Sequence, residues 1–245
     1  MIKISKHLLA LMAILLCPAM LSAETGKGKQ IVDYVNPMVG ASTSTKAGRS
    51  AHGLGKTFPG TATPFGLVQL SPDTKTGGDN GPGYSWQHTT IEGFSFVHMS
   101  GTGWYGDFGN FLVTPTVGKL HPFVGDEKHP ETGYRSAFSH ETEVARAGYY
   151  AVTLDDYKIR VELTSARRAG MIRMTYPESD SARISIDLAR RIGGSSTEQY
   201  VKVVDDTTIE GWMRCTDKDG GWGNGDGHAN YTVYFYCQFS KPLKR

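Results

Sequence analysis

Short alternating runs of apolar and polar residues dominate this chain of 245 residues. In segment 159–163 the apolar positions alternate with Arg160 and Glu162, and segments 184–188 and 231–239 show the same period. A period of two places the apolar side chains on one face of an extended chain. Each segment therefore predicts a half-buried β-strand.

Further segments carry the same strand-like character. They are Phe65–Leu70, Ile91–Met99, Phe111–Thr114, Tyr149–Leu154, Met171–Tyr176, Tyr200–Val204 and Thr208–Cys215. Residues 216–230 predict a long glycine-rich hairpin loop, and no segment beyond the N-terminus has the period of a long amphipathic helix. Many short strands between Gly, Pro and Asp turns predict an all-β fold, an antiparallel β-sandwich. Residues 31–245 suit one such domain.

The first 23 residues have the composition of an export signal. Lys3 and Lys6 precede an apolar run from Leu8 to Leu16, which is shorter than the roughly 20 residues of a membrane span. Small residues up to Ala23 predict cleavage there, so the mature chain is expected to be exported, to the periplasm or outside the cell, with no membrane span. An uncleaved membrane anchor is the alternative. Residues 24–30 are predicted to be a flexible N-terminus.

Charge and cysteine content exclude two classes of protein. The 26 basic residues fall to 24 when Lys3 and Lys6 are removed, and this matches the 24 acidic residues. A formally neutral chain lacks the basic excess that nucleic-acid binding requires. The two cysteines of the mature chain, Cys215 and Cys237, form no disulfide framework. They are expected to be buried thiols, or a single disulfide if their strands are neighbours.

Several catalytic and metal-binding motifs fail on inspection. Gly55-Lys56-Thr57 resembles the end of a phosphate-binding loop, but Ser50 stands where that loop needs a glycine. The run 217–220 resembles the start of a calcium loop, but His228 stands where an EF-hand needs Glu. The sequence has no Gly-x-Ser-x-Gly motif, and its eight histidines show no metal-ligand spacing. The residues thus predict no metal site in this chain.

The segment 101–109 combines residue types that suit a sugar. Trp104, Tyr105 and Asp107 lie within four residues of one another, between closely spaced glycines. An aromatic ring can cover the apolar C–H face of a sugar, and a carboxylate can accept hydrogen bonds from its hydroxyls. The alternative is a glycine-rich loop whose aromatic side chains fill the core.

An ordered series of motifs is more specific than any of these. The motifs are Asn36-Pro37-Met38-Val39-Gly40, Gly55-Lys56-Thr57-Phe58-Pro59-Gly60, Pro64-Phe65-Gly66-Leu67-Val68-Gln69-Leu70-Ser71-Pro72-Asp73, Gly93-Phe94-Ser95, Gly106-Asp107-Phe108-Gly109, Phe138-Ser139-His140-Glu141, Gly148-Tyr149-Tyr150-Ala151-Val152 and Glu162-Leu163-Thr164-Ser165. They resemble the N-terminal part of glycoside hydrolase family 92, whose members are exo-acting α-mannosidases. The resemblance covers nearly all of residues 31–242 in order.

The resemblance implies an exported, calcium-dependent, inverting enzyme that acts on mannose-containing glycans. It implies that this chain is the N-terminal sandwich, and that a C-terminal (α/α)6 domain beyond Arg245 supplies the catalytic carboxylates and the calcium ligands. No catalytic residue and no metal ligand are therefore expected here, and this chain alone is expected to be inactive. Tyr84 matches an aromatic near the leaving-group sugar, and Trp104 and Asp107 match the loop that faces the mannose.

Two other functions remain open from the sequence. One is a free-standing carbohydrate-binding module without catalysis. The other is the sandwich domain of a different (α/α)6 glycosidase, which acts on another sugar. A helix-rich continuation with acidic motifs after Arg245 would favour an enzyme over a binding module.

Overall fold

The computed structural model describes residues 28–41, 56–74, 81–101, 106–221 and 229–244, so the predicted signal peptide lies outside the described residues. In chain order the strands are β1 Thr61–Ala62, β2 Gln69–Asp73, β3 Thr90–Ile91, β4 Gly93–Ser95, β5 Leu112–Thr116, β6 Ser136–Ala137, β7 Val144–Arg146, β8 Tyr149–Leu154, β9 Ile159–Ser165, β10 Gly170–Thr175, β11 Arg183–Asp187, β12 Arg190–Arg191, β13 Gly194–Ser195, β14 Glu198–Val203, β15 Thr208–Thr216 and β16 Asn230–Gln238.

The helical content of the described residues is small. Three short 3-10 helices occur, at Ile31–Tyr34, Pro130–Thr132 and Asp217–Asp219. None of the described helices is long and apolar enough to cross a membrane. The first of them lies in the N-terminal unit Met1–Tyr34, and all the strands lie in the second unit, Val35–Arg245.

The alternating patterns predicted the strands well. β8 has the predicted bounds. β9, β10, β14, β15 and β16 each begin and end within two residues of the predicted bounds. The run Phe65–Leu70 is different, because β2 begins only at Gln69. Phe65 has a φ of 57° in a turn that the Gly66 amide closes on the Thr63 carbonyl at 2.9 Å. A bulky residue rarely adopts that conformation, and the apolar pattern alone does not reveal it.

Two antiparallel sheets form the sandwich. One has the strand order β1-β2-β4-β5-β11 and the other β10-β9-β8-β7. Their facing side chains form a single apolar cluster that includes Leu70 and Phe94 from the first sheet and Val152, Val161 and Leu163 from the second. The predicted all-β, antiparallel fold is therefore confirmed.

A third sheet, β14-β15-β16, packs beside this sandwich. Its inward face is alternately buried along β15, at Ile209, Met213 and Cys215. The ring centroid of Phe111 lies 4.2 Å from that of Phe235 in β16 and 5.5 Å from that of Phe96 near the sandwich core. Phe111 therefore joins the two apolar regions.

The two cysteines lie on neighbouring strands but at different positions in the register. Cys215 is opposite Tyr231, and Cys237 is opposite Ile209. Both are free thiols, with Cys215 buried and Cys237 half-buried. The sequence left open buried thiols or a single disulfide, and the structure shows two free thiols.

Replacing Phe111 by Ala should lower the free energy of unfolding by about 3–5 kcal/mol, because a buried ring is lost from the junction of two apolar regions. The matched control is Phe123→Ala, since Phe123 is 76% exposed and its loss should change stability by less than about 0.5 kcal/mol. Urea unfolding of both variants checks this. Equal stabilities would show that the junction does not depend on Phe111.

Candidate functional site

Tyr84 follows the turn at Pro82-Gly83 and lies in the core, with no exposed surface. Its hydroxyl donates to both oxygens of Glu143, at 2.9 and 3.0 Å. The Tyr150 hydroxyl donates to the same carboxylate at 2.6 Å. Burial, and then the charge of Glu143, raise the pKa of both phenols well above the usual value. Both therefore remain neutral donors that hold Glu143 in place.

His140 links Glu143 to an exposed aromatic ring. Its Nδ1 lies 2.6 Å from Glu143 Oε2, and its Nε2 lies 2.8 Å from the Trp86 carbonyl. Each ring nitrogen thus faces an acceptor, and both can donate only from the doubly protonated ring. The ring stacks on Trp86, with centroids 3.6 Å apart and planes 9° apart. Trp86 is 42% exposed, so this stack presents an aromatic surface to ligand or solvent.

Asp107 lies at the end of the predicted sugar-binding loop and is buried. Its Oδ1 accepts the Phe108 amide at 2.7 Å and the Tyr231 hydroxyl at 2.5 Å. The Arg191 Nε lies 3.8 Å from the same oxygen. Burial, followed by the hydrogen bond to Asp107, raises the pKa of Tyr231. The carboxylate therefore ties the loop to β12 and to β16.

Glycines bring two loops close together around one side chain. A Cβ at Gly83, Gly106 or Gly109 would lie 2.9, 2.5 and 2.6 Å, respectively, from a carbon of Ile192. A Cβ at Gly106 would also collide with the Gly81 carbonyl oxygen. Only glycine permits this approach, and Gly83 and Gly109 also have positive φ angles. The turn that carries Tyr84 and the segment that carries Asp107 are thus packed on Ile192.

A second buried polar cluster lies in the five-stranded sheet, around Asp73. Asp73 accepts the Ser95 hydroxyl at 2.5 Å and His98 Nε2 at 2.9 Å, and His98 Nδ1 lies 2.7 Å from the Gln69 carbonyl. His98 Nε2 also lies 3.1 Å from the Ser95 hydroxyl oxygen, but that hydroxyl donates to Asp73. Three residue types of a nucleophilic triad are present, but their hydrogen bonds are structural.

Arginines complete this second cluster. Arg190 lies 2.5 Å from Glu92 and 3.5 Å from Asp73, and Arg135 lies 2.8 Å from the other oxygen of Glu92. Burial raises the pKa of Asp73, but the charges of His98 and Arg190, together with hydrogen bonds from His98 and Ser95, outweigh it and hold that pKa below its usual value. Asp73 therefore stays ionised and keeps the cluster paired.

The described acids of these clusters, Asp73, Glu92, Asp107 and Glu143, all act as acceptors for buried donors. Within the described ranges, no group of three or more His, Cys, Asp or Glu side chains is arranged to hold a metal ion. The described residues of these clusters therefore do not fit a calcium site. What the clusters do is position surface aromatics and loops.

Residues 34–245 match the glycosyl hydrolase family 92 N-terminal domain. This chain belongs to glycoside hydrolase family 92. The earlier resemblance is confirmed over almost the same residues, and the chain is the N-terminal domain of a family 92 glycosidase.

The family 92 α-mannosidase BT3965 of Bacteroides thetaiotaomicron, solved with mannoimidazole, is 40% identical, with a TM-score of 0.77 over 88% of this chain. The family 92 glycosyl hydrolase ccman5 is 27% identical over 75% of it, with a TM-score of 0.58. An uncharacterised secreted glycosidase of Arthroderma benhamiae is 26% identical over 151 residues, 62% of the chain. The chain spans only 26%, 24% and 18% of these proteins, respectively.

The structure locates two of the three predicted sugar-binding residues. Tyr84 and Asp107 are buried, with their polar atoms committed to Glu143 and to Tyr231, while Trp104 lies outside the described residues. Their contact with sugar stays a prediction. Sequence reasoning missed Trp86, which is exposed two residues after Tyr84. The motif Phe138-Ser139-His140-Glu141 was the signal that could have found it, because its His140 stacks on Trp86.

Asp73→Asn should destabilise the chain by about 3 kcal/mol at pH 7, because it leaves buried cations without their carboxylate. A carboxylate with a lowered folded-state pKa contributes stability above its unfolded pKa of about 3.9, and loses it as the pH falls through the folded value. The gap between wild type and variant should therefore close below about pH 4.

Chemical denaturation at several pH values measures that gap. Asp180→Asn is the matched control, since Asp180 is an exposed carboxylate in the turn before β11. It should follow the wild type at every pH. A gap that is constant from pH 7 to pH 3 would mean that the charge of Asp73 does not stabilise the fold.

Proposed function

We propose that this chain is the sugar-facing N-terminal domain of an exported, calcium-dependent α-mannosidase. The observation that carries the proposal is the 40% identity, over 88% of the chain, to an α-mannosidase solved with mannoimidazole. The secreted glycosidase among its relatives and the composition of residues 1–23 support export. The substrates would be mannose-containing glycans.

The chemistry of hydrolysis belongs to the (α/α)6 domain that the resemblance implies. An inverting glycosidase needs two carboxyl groups roughly 6.5–9.5 Å apart, with room for a water between them. The described acids of this chain's two clusters are instead hydrogen-bonded to buried donors, such as Tyr150 on Glu143 and Arg190 on Glu92. Calcium, when bound in that second domain, would supply a fixed positive charge for the substrate and its water.

This chain would contribute binding and orientation. The exposed ring of Trp86, fixed by its stack on His140, offers a flat apolar surface for the C–H face of a sugar. Glu143 holds His140, and Tyr84 holds Glu143, so Tyr84 would act on the leaving-group sugar through these contacts. Asp107 would place the loop that carries Trp104 beside the mannose.

The chain alone should hydrolyse no mannoside, whereas a chimera should. In the chimera, residues 34–245 replace the equivalent quarter of the Bacteroides thetaiotaomicron α-mannosidase. We expect turnover of an aryl α-mannoside by the chimera only, and loss of that turnover on chelation of calcium. Unfolding curves of the chimera provide the control that it is folded.

Two results would contradict this proposal. Turnover by the isolated chain that survives repurification would place catalytic groups within residues 1–245. A folded chimera that cleaves another aryl glycoside in preference to the α-mannoside would assign the domain to a different sugar, which is one of the alternatives that the sequence left open.

In the chimera, Asp107→Ala should lower kcat/KM roughly 10- to 150-fold, the loss expected for a hydrogen bond to a charged acceptor worth about 1.5–3 kcal/mol. Trp104→Ala should cost a similar factor and change the preference for the leaving group more. Because Asp107 is buried against Arg191, its loss should also lower the melting temperature.

Tyr231→Phe separates direct contact from positioning. It removes the hydroxyl that donates to Asp107 and keeps the carboxylate. If Asp107 acts by placing the loop, Tyr231→Phe should reproduce part of the loss in kcat/KM. If Asp107 binds sugar directly, the kcat/KM of Tyr231→Phe should equal that of the unsubstituted chimera. Variants of Asp107 and Trp104 that melt early but keep wild-type kinetics would remove both residues from the site.

A further inference from the structure

The outward face of the third sheet carries an uninterrupted row of aromatic rings. Tyr200 of β14 is directly opposite Trp212 of β15, and Trp212 is directly opposite Tyr234 of β16. The rings of Tyr200 and Trp212 are nearly parallel, with planes 19° apart and centroids 6.1 Å apart. Neighbouring strands are about 4.8 Å apart, so the row extends roughly 10 Å across the sheet.

These rings do not fill the core. The residues of β15 that alternate with Trp212, including Ile209 and Met213, supply the buried contacts of this sheet. Tyr200 is 47% exposed and Tyr234 is 75% exposed. A contiguous aromatic surface of this kind marks a binding site more often than isolated exposed apolar residues do.

One pair of opposite charges flanks the aromatic row on each side, on the same strands. On one side Lys202 lies 3.3 Å from Glu210, and on the other Arg214 lies 3.6 Å from Glu198. Each pair faces outward with the aromatic rings, because the residues are two positions from Tyr200 or Trp212 along their strands. The polar groups therefore present donors and acceptors without net charge.

A polar cleft continues this surface beyond Arg214. It has a volume of about 470 Å³, and its lining includes Glu198, Arg214, Asp217, Lys218 and Asn230. Since Glu198 and Arg214 also form one of the flanking pairs, the cleft and the aromatic row share a border. The cleft adds one acid and one base, so the whole surface stays formally neutral.

We propose that this surface binds a neutral oligosaccharide of at least two sugar units. A nucleic acid or an anionic membrane would need an excess of Lys and Arg, which the surface lacks. A sugar chain has apolar C–H faces for the three rings and hydroxyl groups for the flanking charge pairs and the cleft. The length of the row suits a chain of sugars better than a single ring. This site goes beyond the proposed function, because it needs no second domain.

Binding of α-mannotriose and of neutral yeast mannan to the full chain, measured by calorimetry and by affinity electrophoresis, tests the proposal. Tyr234→Ala should weaken binding about 3- to 10-fold, as expected for the loss of one ring contact. Trp212→Ala should weaken it more. Met171→Ala is the matched control, because Met171 is 67% exposed on the separate four-stranded sheet and should bind as wild type does.

Tyr234 is largely exposed, so its variant should fold and give a clear answer even if Trp212→Ala does not. Absence of mannan and mannotriose binding by the wild type, or equal binding by wild type and Tyr234→Ala, would overturn the proposal. Tighter binding of heparin than of mannan would show that the surface prefers an anionic ligand, and would overturn the proposal of a neutral one. A wild-type dimer that Tyr234→Ala converts to monomers would assign the surface to a second copy of the chain instead.

Discussion

Two adjacent arginines, Arg191 fully buried and Arg190 largely so, hold the parts of this domain together. Arg190 pairs with Glu92 and Asp73 inside the sandwich, while Arg191 donates to the carbonyls of Thr216 and Gly220 beside the third sheet. A buried guanidinium is costly unless acceptors surround it, so each arginine dictates where several acceptors must lie. The segment 190–192 thus sets the position of the third sheet relative to the five-stranded one.

The geometry of the loops follows from the same segment. Ile192, next in sequence, is the side chain on which Gly83, Gly106 and Gly109 pack. A bulkier residue at any of these glycines would push apart the turn before Tyr84 and the segment around Asp107. The glycine-rich character of this region therefore reflects close packing at the base of the loops, and the buried Asp107 fastens one of them to Arg191 and Tyr231.

The fold was largely predictable from the period of two, because half-buried strands leave that pattern whatever their partners are. β9, β11 and β16 carry it plainly, and the structure confirms all three. The site was less predictable, since its hydrogen bonds join distant segments: Tyr84 and Glu143 are 59 residues apart. A pattern of residue types near Tyr84 cannot tell that its ring points inward while Trp86, two residues on, is exposed.

The role of an aromatic residue in this chain therefore depends on its position in the strand register. Tyr150 and Tyr234 both lie in β-strands, yet one donates from the core to Glu143 and the other faces outward. The period of two in β16 assigns Tyr234 to the outward face, but only the pairing of β14, β15 and β16 aligns it with Trp212 and Tyr200. The inward residues of β15 supply the buried contacts of the sheet, so the outward row is available for recognition.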